Sequence, residues 1–268
     1  MARKALAFSI CVIYYLIVVL PHNEVGAAVN EIFSSFSRGQ YNSIVAAIFS
    51  IIVIILIILG RQKHQVGDRD KVKPFIAFTL LFIVLCFFFL MVVYVESVHF
   101  VQYAILSILL FPLLGRYTSA MIWGTVLGAL DELYQYLILE NTSLYYDFND
   151  IVLDAVGAGA GLVILFVCGI RSFKPRPKKL WKRPEVYLPF GVMIIITISW
   201  MLGYFSLNYN YSNPAYFTLF KQPLPQGFWF YPPGPPAKYH ILTPIPALII
   251  LSGLVLFYGR LDRENKHP

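Results

Sequence analysis

Asp147, Asp150 and Asp154 stand three and then four residues apart, a spacing that sets three carboxylates on one helical face. Upstream, the pair Asp131-Glu132 is followed one turn later by Gln135, and Glu96 is followed by His99 and Tyr103. With Glu140, these acids make up seven of the chain's fourteen carboxylates, and Arg116 is the one Lys or Arg between residues 96 and 154. Crowded carboxyl groups beside an imidazole can supply an acid and a base, an acid and a nucleophile, or oxygen ligands for a cation. A carboxylate at bilayer depth costs free energy unless it is protonated, paired or facing a wet cavity. Packing alone would not select these residues, so the cluster is the default functional site.

The elements that must position them are oily. The chain is 58% hydrophobic and 13% charged, with mean hydropathy +0.68. That composition predicts an all-α polytopic membrane helix bundle rather than a soluble domain. Hydrophobic runs at 5–20, 43–60, 75–95, 98–115, 118–138, 150–170, 186–205 and 242–259 give about eight transmembrane helices, since ~20 residues cross the hydrocarbon layer. The runs 98–115 and 118–138 are parted only by Gly115, Arg116 and Tyr117.

The net charge of +7 would suggest nucleic acid in a soluble protein, but the placement of the bases gives a plainer reading. Alternate loops carry 18 of the 21 Lys and Arg, leaving Arg38, Lys221 and Lys238 on the other side. The positive-inside rule then puts both termini in the cytoplasm of a multi-pass plasma-membrane protein, with no nucleic-acid partner. Arg3, Lys4 and the apolar stretch 5–20 imitate a secretory signal, and we read them as the first transmembrane helix. Cys11, Cys86 and Cys168 fall inside expected spans without regular spacing, and they read as small buried apolar residues.

Three segments follow from this pattern. Residues 1–73 hold two N-terminal helices, 74–171 a four-helix block with the acidic cluster, and 172–268 a basic linker and two C-terminal helices. The linker Arg171–Arg183 fits either anionic-headgroup binding or ordinary inside-positive anchoring, and the second needs no further assumption. The loop Ser206–Ile241 carries seven prolines and ten aromatic residues and need not form regular structure. Its rings suit an interfacial belt, stacking on sugars, or contact with a membrane protein partner. Gly157, Gly159 and Gly161 read as close helix packing, because no strand and no Gly-x-x-x-x-Gly-Lys pattern accompanies them.

The expected topology brings Glu96 and His99, the outer half of the 118–138 helix, and the first turns of the 150–170 helix to one depth in the outer leaflet. Val95-Glu-Ser-Val-His-Phe-Val-Gln-Tyr103, Leu130-Asp-Glu-Leu-Tyr-Gln135 and Tyr146-Asp-Phe-Asn-Asp-Ile-Val-Leu-Asp-Ala-Val-Gly157 resemble, in order and approximate spacing, the three motifs of VanZ-like membrane proteins. The resemblance covers residues 74–170. Many members carry an Arg shortly before the third motif, where this chain has Glu140-Asn-Thr-Ser-Leu-Tyr-Tyr146, so a guanidinium clamp is missing. The family takes its name from reduced susceptibility to a glycopeptide antibiotic, and the resemblance implies a cell-envelope context.

Three functions fit these residues. In the first, an envelope enzyme acts on a lipid-linked or glycan substrate at the outer leaflet, with Glu132 and Asp150 as acid and base. His99 and Glu96 then relay protons or orient groups, while Gln135, Tyr103, Asp131 and Asp154 hold substrate. A metal variant of it sets Asp147, Asp150 and Asp154, with Glu132, around Mg²⁺ or Ca²⁺. The second is a non-enzymatic accessory subunit whose acids form a structural network, and the third is proton or ion translocation. Against the third, the acids gather at one depth.

Overall fold

The computed structural model describes residues 2–21, isolated positions between 24 and 58, and then 66–91, 94–138, 145–175, 179, 182–208, 217–221, 227–231 and 238–264. Most of the expected span 43–60, and Glu140, lie outside the described residues.

The protein is mostly helical. Among the described residues the helices with defined bounds are α1 (Ala2–Val19), α2 (Val66–Phe89), α3 (Val98–Leu114), α4 (Tyr117–Ile138), α5 (Phe148–Val167), α6 (Pro184–Met201), α7 (Pro244–Tyr258) and the single turn α8 (Leu261–Glu264). A 3₁₀ turn, Tyr94–Ser97, leads into α3. Among the described residues, three helices are long and apolar enough to cross a membrane: Lys71–Phe89, Phe148–Val167 and Pro244–Glu264. α4 has the length, at 22 residues, but Asp131 and Glu132 lower its apolarity.

α5 is the axis of the bundle, and 72% of it is buried against 28% and 33% for the other two spans. Its small residues explain why. A methyl group on Gly157 would stand 2.7 Å from the Cα of Phe100, so α3 and α5 touch backbone to backbone. The Ser107 hydroxyl donates to the Ala158 carbonyl at 2.9 Å across the same seam. On the opposite side the Tyr258 ring lies over Gly159, and its hydroxyl meets that of Thr79 at 2.8 Å, tying α7 to α2. α1 is pinned by two hydroxyls, Tyr14 to the Gln102 carbonyl (2.9 Å) and Tyr15 to the Leu127 carbonyl (2.8 Å). The outer faces are apolar and exposed, as at Phe88, Ile195 and Ile249, which suits a surface solvated by lipid.

α3 and α4 are separate helices because Gly115 takes the left-handed conformation (φ 73°), and its carbonyl accepts from the N–H groups of Phe173 and Lys174. The loop after α6 contains two short strands, β1 (Phe205–Asn208) and β2 (Phe217–Phe220), paired in parallel with Phe205 opposite Phe217. This departs from the expectation of an irregular loop. Its prolines fall outside both four-residue segments, so every N–H there is able to enter a ladder. The expectation for the cysteines needs one correction: Cys11 and Cys86 are buried, but Cys168 is exposed at the C-cap of α5, beyond its last apolar turn.

Candidate functional site: a buried acid–histidine cluster

α2 ends, α3 begins, α4 ends and α5 begins at one end of the bundle, here called the acidic end. His99 enters from the first turn of α3, and Asp150 and Asp154 from the first two turns of α5. The His99 ring stands between them, with Nδ1 2.8 Å from Asp154 Oδ1 and Nε2 3.8 Å from Asp150 Oδ2. From α4, Glu132 brings a carboxylate oxygen to the same place: one ligand-type atom each from His99, Glu132 and Asp154 lie within 4.8 Å of one another. On α5 the i, i+4 spacing stacks Asp150 and Asp154 on one face, and on α4 Gln135 follows Asp131 and Glu132 by one turn.

A second shelf sits beside the first. The Tyr103 hydroxyl donates to Asp131 Oδ2 at 3.0 Å, and the Gln135 amide donates to Asp131 Oδ1 at 3.3 Å and to Glu132 Oε1 at 2.8 Å. Asp131, Glu132, His99 and Gln135 are buried, and Tyr103 and Asp154 have no exposure at all. Asp150 is the accessible member, its side chain 19% exposed. Among the described residues, no Lys or Arg ion-pairs with Asp131, Glu132, Asp150 or Asp154. Asp154 Oδ2 has no hydrogen-bond partner.

Asp147 is not among the three residues whose donor atoms converge, although its charge reaches Glu132 and Asp150. It is the N-cap of α5, and its Oδ1 accepts from the N–H groups of Asn149 (2.8 Å) and Asp150 (3.4 Å). Desolvation pushes its carboxyl up to about 8, with the Asp150 charge adding and those two N–H donors opposing. Glu96 lies in the 3₁₀ turn, half-buried, one turn before His99.

Three residues without an assigned role complete the acidic end. Asn149 is buried and acts as a clamp: its amide donates to the carbonyls of Leu90 (3.0 Å) and His240 (2.7 Å), and its oxygen accepts from Leu242 N–H (2.9 Å). It thereby joins the end of α2, the start of α5 and the approach to α7. The Tyr146 hydroxyl donates to the Ala129 carbonyl (2.7 Å), and the Tyr136 hydroxyl donates to the Thr218 carbonyl, which seats β2 on α4. Only Asn149 carried a signal in sequence, as a lone amide between two acids at a helix start.

The aromatic loop also packs here. Trp229 stacks on Phe89 (5.7 Å between centroids, 10° between planes), and Phe228 stacks on His240 (4.2 Å, 14°). Tyr145 and Tyr239 hydroxyls meet at 3.0 Å. These rings of the loop therefore anchor it to the ends of α2 and α5.

The chain matches no family model, no curated protein and no solved structure. Fold and geometry define a mostly helical protein with membrane-length apolar helices and one buried acid–histidine cluster.

Proposed function

We propose that this is a multi-pass protein of the plasma membrane, with about eight spans and both termini cytoplasmic. In this reading it is a VanZ-like protein of the cell envelope whose acid–histidine cluster acts on a lipid-linked or glycan substrate at the outer leaflet. The observation that carries the reading is the His99 ring held between Asp150 and Asp154, with Glu132 reaching in from a second helix. A carboxylate on one ring nitrogen fixes the tautomer and leaves the other nitrogen to exchange a proton, which is how an orienting acid serves a histidine. Asp154 is the orienting group, and Nε2 faces the accessible Asp150. Glu132 and Asp150 are the acid–base pair beside that ring. Gln135 holds Glu132 through its amide and ties it to Asp131, which Tyr103 holds in turn.

A second reading is an accessory subunit whose cluster is a structural network. The full burial of Tyr103 and Asp154 favours it, and so does the exposure of Phe228 and Tyr231 in the loop 206–241, open to a membrane protein partner. Proton or ion translocation has less support. Among the described residues the next buried charges, Arg116 and Asp262, lie at the opposite end and are 3.7 Å from each other.

Native mass spectrometry of protein extracted gently from its own membrane separates these readings. We expect a retained lipid with a glycan or phosphate-linked headgroup, lost in Asp150→Asn and Glu132→Gln. Retention of bulk phospholipid alone, identical in all three proteins, would overturn the substrate reading.

A further inference from the structure

We propose that His99, Glu132 and Asp154 form a three-ligand site for a borderline divalent transition metal, the class of Zn²⁺ and Mn²⁺. The inference rests on the reading of the same cluster but gives its metal-loaded form other roles: His99, Glu132 and Asp154 become ligands and Asp150 is the group left to exchange protons. It stands on two independent observations. The first is geometric. One donor atom from each residue lies within 4.8 Å of the other two. A cation with bonds of about 2.0–2.2 Å holds its donors roughly 3–4 Å apart, so side-chain adjustments of about an ångström per ligand close the site. The donors come from three helices, α3, α4 and α5, whose close packing fixes their positions.

The second observation is an unmet need. Asp154 has no exposure, and its Oδ2 has no hydrogen-bond partner. That oxygen is turned towards α4, where a methyl group on Gly128, one turn before Glu132, would stand 2.6 Å from it. Buried carboxylate oxygens without a donor are rare, and they call for a proton or a cation. Three buried carboxyl groups, Asp131, Glu132 and Asp154, and the more accessible Asp150 gather near one imidazole, and among the described residues no Lys or Arg is paired to them. A divalent ion meets both the missing partner and the missing charge.

The donor set chooses the metal. One imidazole with two carboxylates suits Zn²⁺ or Mn²⁺ and is unlike the all-oxygen shells of Mg²⁺ and Ca²⁺. It also differs from a site built on Asp147, Asp150 and Asp154, because Asp147 caps α5 with one of its oxygens. Three protein ligands leave a coordination position open towards Asp150, the exposed edge of the cluster. A Lewis acid there would polarise a phosphoryl or carbonyl oxygen of a headgroup.

The test is metal titration of purified, chelator-treated, detergent-solubilised full-length protein, with Zn²⁺ and Mn²⁺ as probes. We expect one ion per chain, weakened by about tenfold or more in Glu132→Gln and in Asp154→Asn. Pulsed EPR of the Mn²⁺-loaded wild type should show coupling to an imidazole nitrogen that His99→Gln abolishes. Should Asp154→Asn fail to fold, Glu132→Gln and the wild-type EPR signal decide alone. Wild-type protein that binds no ion, or binds it equally well in Glu132→Gln and without nitrogen coupling, would overturn the site. Metal binding without a retained lipid headgroup would sink the substrate reading and keep the metal site; a retained headgroup without metal would do the reverse.

Discussion

At the basic end of the bundle, Asp262 accepts from the N–H groups of Tyr117 (2.9 Å) and Thr118 (3.1 Å) and from the hydroxyls of Thr118 and Ser172 (2.6 Å each). Arg116, also buried, lies 3.7 Å away and balances its charge. At the acidic end Asp154 is at least as deeply buried, yet one of its oxygens has no partner, and the His99 ring that meets the other oxygen is shared with a second acid, Asp150. Asp262 does the work of an N-cap for α4 from the far end of the chain, because Arg116 offers the first free N–H groups of α4 no cap of its own. The Asp262 carboxylate, which serves structure, is saturated, whereas the Asp154 carboxylate is left short and is the one to examine for a ligand. The contrast separates a lock from a site, although Arg116 Nε and Nη2 also lack hydrogen-bond partners.

The largest effect should come from breaking the lock. Asp262→Ala strands the Arg116 charge and uncaps α4, and it should cost about 3–5 kcal/mol in unfolding from mixed micelles. Asn149→Ala comes next. Three buried backbone groups lose their partner, so a loss of at least about 2 kcal/mol is expected, with faster hydrogen exchange at residues 240–242. Gly157→Ala should push α3 from α5 and cost about 1–3 kcal/mol, read in the same unfolding assay. Tyr103→Phe is the smallest, at about 1 kcal/mol, since Asp131 keeps its contact with Gln135. If Tyr103→Phe proved as costly as Asp262→Ala, the acidic end would be a second structural lock.

Much of this was legible in sequence where hydropathy and spacing speak together. Helices occupy the runs around 5–20, 75–95, 98–115, 118–138, 150–170, 186–205 and 242–259, because apolar length alone sets such elements. The acids of α4 and α5 were readable from their helical spacing, but their partners were not. That His99 would pair with Asp154 and stand 3.8 Å from Asp150 depends on how closely α3 and α5 approach, which rests on Gly157 and its neighbours. Asp262 was hidden among the bases of a tail that reads as inside-positive, since capping across 144 residues leaves no local pattern. The strands of the 206–241 loop were masked by its proline content, which marks where a ladder cannot form and not where it can.

Glu132→Gln tests the central claim most directly. The substitution keeps the shape and the acceptor for Gln135 while removing one charge from an unbalanced cluster. Unfolding of chelator-treated protein should show stability unchanged or higher than wild type, the pattern of a residue kept for function at the expense of the fold. A loss of stability comparable to that of Asp262→Ala would contradict the account and make the acid–histidine cluster a structural network.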